Sequence, residues 1–273
     1  MNPTPAERPG RAPVSLPAAR QALHDGTAVV LPNPAPLTHV VAARSPRAVN
    51  EAEGRPAAQP VALWAHHPDT LRVLAEDIWR LGPRQSATAR RLLAEEHLTV
   101  LVPVREHTPG HPWAAPAVKD GWMLLFGARW KPLRGLLDEH PVLYVSSANR
   151  TGRPPAADTA AALAMFPADV PVLALPDHSR TAPPVPVRRA TTTVRLHPDG
   201  RTELHRHGAQ NAPFASPDAY LRDLCARHGQ AGKPASGPLG DEGAPAPGFR
   251  PAGAPSRMTE GTAVSGCRGR RSE

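Results

Sequence analysis

Val142-Leu143-Tyr144-Val145-Ser146-Ser147-Ala148-Asn149-Arg150-Thr151-Gly152-Arg153-Pro154-Pro155 is an apolar strand pattern that runs straight into hydroxyl, amide, Gly and paired Pro residues. The apolar run from Pro141 to Val145 predicts a buried strand, and the polar end after it makes an anion cradle. Ser147 and Asn149 offer side-chain donors, Gly152 lets the backbone approach a ligand, and Arg150 and Arg153 bring charge. The same composition also serves an ordinary capped turn, because Ser, Asn, Gly and Pro are what turns need.

Upstream, Ser15 predicts the cap of a helix through Asp25, with Gly26 ending it. Thr27 to Leu31 and Leu37 to Ala43 have extended apolar patterns separated by the breaker Pro32 to Pro36. Ser45-Pro46 opens a second helix that leads into Glu53-Gly54-Arg55-Pro56, and Val61 to Trp64 predicts a strand. Asp69 is the expected cap of an amphipathic helix carrying Leu71, Leu74, Ile78 and Leu81 on one face, with Gly82 as its stop. A helix over Ser86 to Glu95 then precedes a strand over Leu98 to Val104.

Downstream, Trp122 to Phe126 predicts a buried strand and Pro132 to Leu137 a helix. Asp158 caps a helix through Phe166, and Val170 to Leu175 is a further strand. Thr191 to Leu196 and Thr202 to Arg206, around Pro198-Asp199-Gly200, form a hairpin. Ser216-Pro217 starts an amphipathic helix that ends near His228. Strands alternating with helices and a closing hairpin imply an α/β fold with a mixed sheet.

The 273 residues suffice for one domain with tails. The organisation read from them is a disordered leader over 1–14, a folded domain over 15–209, a C-terminal helix over 210–228 and a disordered tail over 229–273. The 36 Pro and 21 Gly concentrate toward the two ends, in keeping with that division. A net charge of +8 and a pI near 10.6 favour an anionic partner. The basic residues are nearly all Arg, with Lys confined to positions 119, 131 and 233. Cys225 and Cys267 are the only cysteines, which excludes a disulfide framework or a thiolate metal cluster and fits a reducing cytoplasm. No apolar run approaches the roughly 20 residues of a membrane span, and the Pro-rich start lacks the apolar core of a signal peptide. No membrane partner is expected.

Ser147-Ala148-Asn149-Arg150-Thr151-Gly152-Arg153-Pro154-Pro155 closely resembles the Ser-Ala-Asn-x-Ser-Gly-x-Pro-Pro signature of the YrdC-like family. Gly54-Arg55-Pro56 is similar to that family's Lys-x-Arg-Pro loop. Leu98-Thr99-Val100, Thr192-Thr193-Val194 and Leu204-x-Arg206-x-Gly208 follow in the family's order. The resemblance covers about Gly26 to Ala209.

It implies a twisted mixed sheet flanked by helices, with a concave basic groove. The activity implied is formation of threonylcarbamoyl-adenylate from threonine, bicarbonate and ATP for tRNA modification, with carbamoyl-adenylate chemistry in related domains. Carried over by position, Arg55, Ser147, Asn149, Thr192 and Arg206 would bind ATP or the adenylate. Mg²⁺ and a partner such as double-stranded RNA or tRNA are implied by the family, and not by any ligand cluster in the sequence.

Several positions depart from the family pattern. Glu53 replaces the Lys, which puts a carboxylate where an ammonium would meet phosphate. The amino-acid-holding turn reads Pro32-Asn33-Pro34-Ala35-Pro36-Leu37-Thr38, Pro-Gly-Pro is replaced by Glu95-Glu96-His97, and Arg-x-Pro by Phe126-Gly127-Ala128. The catalytic residues are therefore open. One reading is an active enzyme, of this or another acceptor, in which Arg44, Arg47, Arg129 and Lys131 compensate. A second is a paralogue with the fold and a nucleotide or RNA surface but little synthase activity, and a third is a non-catalytic RNA-binding module.

The pairs His66-His67 and His205-x-His207 carry no metal motif and are read as ordinary histidines. Trp64, Trp79, Trp122 and Trp130 are core or rim aromatics. Arg268, Arg270 and Arg271 are solubilising charges on the tail.

Overall fold

The computed structural model describes residues 11–106, 111–175 and 187–228. The expected tail over 229–273, with its arginines and Cys267, lies outside the described residues, as do the first ten of the leader.

Nine strands make one mixed sheet in the order β1-β2-β7-β3-β6-β4-β8-β9, with β5 added against β6. They are β1 Val29–Leu31, β2 Val40–Ala43, β3 Ala62–Trp64, β4 Thr99–Pro103, β5 Val118–Lys119, β6 Trp122–Phe126, β7 Tyr144–Ser147, β8 Thr193–Leu196 and β9 Thr202–Arg206. The pairs β3/β6 and β4/β8 are parallel and the others antiparallel. Among the described residues seven α-helices accompany them: α1 Leu16–His24, α2 Pro46–Glu53, α3 Pro68–Val73, α4 Pro83–Ala94, α5 Arg134–Asp138, α6 Thr159–Met165 and α7 Pro217–His228. No helix among the described residues is long and apolar enough to cross a membrane.

Strand residues alternate between two faces, and each face has its own core. Val41, Leu63, Val100, Leu125 and Val194 pack with α2, α3, α4, α6 and α7. Val40, Ala62, Trp64, Phe126 and Val145 pack with α1 and α5. Helix α7 belongs to the first core through Tyr220, Leu221 and Leu224. Residues 11–14, read from sequence as the end of the leader, lie against the domain. Val14 donates to the Val172 carbonyl at 2.8 Å, and Arg11 donates to the carbonyls of Phe166 and Val170.

Local signals account for most boundaries. The Ser15 hydroxyl accepts from the Ala18 amide, Asp158 accepts from the Ala161 amide at 2.8 Å, and Gly54 closes α2 in the left-handed conformation.

Four expectations change. Helix α3 starts at Pro68 after His67, not from an Asp69 cap, and passes into a π-helical turn over Leu74–Ile78. Trp79 then leaves the helix and bridges to Val104. Gly82 consequently caps the start of α4, whose first residue is Pro83, so Leu81 reaches the core from a loop. Strand β7 begins at Tyr144 and continues through Ser147, carrying order into the polar signature. Val170 to Leu175 forms no strand, making only isolated bridges at Val172 and Leu173.

The segment 187–192 ties distant parts of the sheet together. Arg189 bridges to Leu37, its carbonyl accepts from the Thr38 amide at 3.0 Å, and its amide donates to the Pro36 carbonyl at 2.9 Å. Four residues later Thr193 pairs with Thr99 in β4. At no more than about 3.6 Å per residue, Arg189 lies within about 15 Å of Thr193 at the start of β8, so this strap holds the loop before β2 close to β8 although four strands, β7, β3, β6 and β4, separate β2 from β8 in the sheet order. The sheet must curl to allow it.

Candidate nucleotide site

The loop after β7 is held by the backbone. The Ala148 amide donates to the His39 carbonyl at 2.9 Å, the His39 amide to the Ala156 carbonyl at 3.0 Å, and the Ala156 amide to the Ala148 carbonyl at 2.8 Å. The ends of the Ser-Ala-Asn loop are thereby fastened to each other and to the entry of β2. Ser146 and Ser147 project to opposite sides of β7. The Ser146 hydroxyl meets the Glu53 carboxylate, while the Ser147 hydroxyl donates to Asn149 Oδ1 at 2.8 Å. Asn149 Nδ2 makes only a long bond to the Arg150 carbonyl, 3.4 Å.

Glu53, at the end of α2, is 1% exposed. Its Oε2 lies 2.7 Å from Arg55 Nη2, and the Arg150 guanidinium lies so near Gly54 that a Cβ there would meet Nη2 at 2.9 Å. The sequence departure at Glu53 thus sets a buried carboxylate against Arg55 in a loop that is basic in the family pattern. Burial lifts the Glu53 carboxyl to about 7, against the opposing pull of Arg55 and Ser146. The pair is poorly aligned, so Glu53 Oε1 and Arg55 Nε and Nη2 make no hydrogen bond within the protein despite being buried.

Thr192 and Arg206 meet at the other end of the strap. The buried Thr192 hydroxyl donates to Asn211 Oδ1 at 3.0 Å and accepts from the Gln210 and Asn211 amides at 3.1 Å each. Its capacity is spent inside the protein, so it organises the turn and has no lone hydroxyl to offer a ligand. Gly208 closes the same turn, where a Cβ would sit 2.3 Å from the Thr192 nitrogen. Arg206 is different. Its Nη2 donates to the Thr191 carbonyl at 3.3 Å, its Nε is buried with no partner, and no carboxylate pairs with it among the described residues. Desolvation lowers its pKa, the sign of a cation held away from water.

The loop of residues 32–38 connects the two groups. Asn33 Nδ2 donates to the Thr38 carbonyl at 2.9 Å, and Arg188 Nη1 donates to the carbonyls of Asn33 and Leu37 at 3.1 and 2.8 Å. His39, next in the chain, is buried, and burial followed by Arg188 holds its pKa down at about 4. Arg55, Ser147 and Asn149 therefore sit in one neighbourhood and Thr192 and Arg206 in a second, joined through Arg188, Arg189 and Thr38. Sequence reasoning missed Arg150, as a neighbour of Gly54, and the Arg188 latch. The run Arg188-Arg189 was the available signal for the latter.

The other altered positions have structural work. Phe126 fills the second core edge-on to Trp64, and Gly127 packs so closely on Leu93 that no Cβ fits. Glu96 accepts from His228 at 2.7 Å and pairs with Arg227, docking α7. Of the suggested stand-ins, Arg47 pairs with Glu51, Arg44 bonds the His24 carbonyl, and Arg129 bonds the Ala65 carbonyl. None of these bonds reaches the Ser147 to Pro155 loop.

No protein-family model matches the chain, and no curated protein does. Solved structures do. P. abyssi Sua5 in complex with L-threonine matches with a TM-score of 0.52 at 18% identity, over 70% of this chain and 53% of its own. E. coli YciO matches with a TM-score of 0.50 at 12% identity, over 72% of this chain and 91% of its own. T. kodakarensis HypF matches with a TM-score of 0.50 at 18% identity, over 72% of this chain and 24% of its own. The chain thus spans about half the length of the Sua5 it matches. These neighbours define the class: the chain has the YrdC-like α/β fold. Its likeness to Sua5, YciO and HypF is one of architecture, at 12–18% identity.

Proposed function

We propose that this YrdC-like domain binds an adenine nucleotide between the Ser147–Asn149 loop and Arg206, and that it has little threonylcarbamoyl-adenylate synthase activity. The observation that carries the reading is Arg206. A guanidinium with a buried, unbonded Nε and no carboxylate partner is costly to hold unless an anion completes it. Phosphate oxygens supply that anion, and Ser147, Asn149 and Arg150 at the far end of the strap supply donors for the rest of the nucleotide. Mg²⁺ would accompany ATP as its counter-ion, bound chiefly through the phosphates.

Adenylate formation requires a carboxylate oxygen to attack the α-phosphorus while pyrophosphate leaves, so it depends on placement and on screening of the triphosphate. Glu53 works against that screening. When ionised, which burial delays to a pH of about 7, its carboxylate neutralises Arg55 and opposes phosphate, and the loop with Asn33 lacks the first Thr, the acid and the Gly of the family's amino-acid turn. Nucleotide binding with slow pyrophosphate release is the combination that follows.

Double-stranded RNA or tRNA is the second proposed partner, and one observation favours it. Arg195 stacks on Trp122 at 4.8 Å, on the sheet face whose cover by α1 and α5 stops short of β8 and β9. Calorimetric titration with Mg²⁺-ATP tests the first reading, with saturable binding by the full chain and loss of at least tenfold in affinity for Arg206→Ala. Pyrophosphate release with ATP, bicarbonate and an amino-acid panel should be near background. Rapid turnover would replace this reading with that of an active adenylate-forming transferase. Unchanged ATP affinity in Arg206→Ala would remove the proposed site.

A further inference from the structure

A hollow ringed by charged and imidazole side chains lies on the α1/α5 side of the molecule, apart from the Ser147–Asn149 loop. It has a volume of about 430 Å³ and is lined by His24, Arg44, Glu139, His140, Pro141 and Val142. His24 stands in the last turn of α1, and Glu139 and His140 follow α5, so 115 residues of chain separate the first two. One ligand atom from each of His24, Glu139 and His140 lies within 4.8 Å of the other two. His24 Nε2 and Glu139 Oε2 are 3.3 Å apart. Tetrahedral bonds of about 2.0–2.1 Å put neighbouring ligand atoms about 3.3 Å apart, so this pair already has the spacing of two ligands on one ion. Small side-chain rotations bring in the third.

His140 supplies the independent observation. The residue is 4% exposed and its Nε2 is buried without any hydrogen-bond partner in the protein. The second carboxylate oxygen, Glu139 Oε1, is 2.9 Å from Arg20 Nε in an ion pair on the side away from His24 Nε2. Among the described residues this is the one group of three or more metal-ligating side chains so clustered, and neither His66-His67 nor His205 and His207 joins it.

We infer that His24, Glu139 and His140 form a binding site for a Zn²⁺-class divalent cation, with a fourth coordination position open to the hollow. Two imidazoles and one carboxylate are a borderline-soft donor set that suits zinc and its late first-row neighbours better than Mg²⁺ or Ca²⁺. Arg20 and Arg44 raise the local positive charge, which disfavours a bare cation. An anionic fourth ligand, hydroxide or a carboxylate or phosphate oxygen, offsets that charge and would lie beside Arg44, which lines the hollow. The ion would also fasten the end of α1 to the α5–β7 connection.

The test uses the full-length chain stripped with chelator and titrated calorimetrically with ZnCl₂ in phosphate-free buffer, with inorganic phosphate in a separate arm. One equivalent of zinc is expected to bind. His24→Ala, at a half-exposed position, should weaken it at least tenfold, as should Glu139→Gln, whereas His205→Ala should leave it unchanged. Cobalt(II) in place of zinc should give the intense visible bands of a four-coordinate ion, lost in His24→Ala. Absence of saturable zinc uptake overturns the inference, as does uptake indifferent to both His24→Ala and Glu139→Gln. Phosphate binding to the metal-free chain without zinc uptake overturns it equally, in favour of an anion site.

Discussion

Replacing Glu53 by Gln keeps the shape and the hydrogen-bonding capacity toward Ser146 while removing the proton equilibrium. In the folded protein the carboxyl titrates near 7, against 4.5 for an unperturbed glutamate. Between those two pH values the native state holds a proton that the unfolded chain has released, so stability falls as pH rises through the window. The gap corresponds to about 3 kcal/mol at 1.36 kcal/mol per pH unit. At 1% exposure, water screens little of it.

The wild type should therefore lose roughly 3 kcal/mol relative to Glu53→Gln between pH 4.5 and 7.5, a relative fall in Tm of about 6–12 °C for a domain of this size. Other titrations, including those of His39 and His66, occur in both proteins and cancel in the difference. The pull of Arg55 is already contained in the folded pKa of Glu53, so exchanging the neutral carboxyl for an amide adds only an offset independent of pH. Urea denaturation at half-unit pH steps measures the difference curve. A difference that stays flat within about 0.5 kcal/mol would refute the assignment of a protonated, buried Glu53.

Three further outcomes follow from the same geometry. Glu53→Lys should strengthen Mg²⁺-ATP binding in a calorimetric titration by restoring the charge that Arg55 now spends on Glu53, and weakening would show that the carboxylate has its own role. Gly208→Ala, whose Cβ would overlap the Thr192 backbone nitrogen, should destabilise the fold by about 2 kcal/mol or more in thermal melts. Acidification should destabilise through His39 and His66, which burial holds neutral with pKa values of about 4 and about 3. Each contributes stability present above the free-histidine pKa of 6.5 and lost as pH falls toward its folded value. His39→Gln and His66→Gln should each flatten the acid limb of the stability curve, and an unchanged limb would mean that other groups drive it.

The parts of the fold legible in the sequence were those set by local chemistry. Ser15 and Asp158 show in composition what they do in space, and the strand Trp122–Phe126 and the hairpin around Gly200 follow from apolar patterning and turn residues. Helix α3 illustrates the opposite. A regular 3.6-residue stripe continued through Leu81, but the pull of Trp79 into the core beside Val104 ended the helix after a π turn, and Gly82-Pro83 began the next one. A Gly before Pro can stop one helix or start another, and only tertiary packing decides which. The same limit governs the site. The polar end of β7 could be read directly, but the saturation of Thr192 depends on Gln210 and Asn211, and the protonation of Glu53 on its burial beneath Arg55 and Ser146. Pairings across 115 residues, such as His24 with Glu139, leave no trace in local spacing.

The strap formed by Arg188 to Thr193 makes the loop of Asn33 and the wall of Arg206 into a single mechanical unit. A ligand that pulls on Arg206 draws on Thr191, hence on Arg189 and on the carbonyls that Arg188 grips. The region expected to recognise an amino acid and the region expected to grip phosphate would therefore sense each other's occupancy through a short covalent tether, without a moving domain between them.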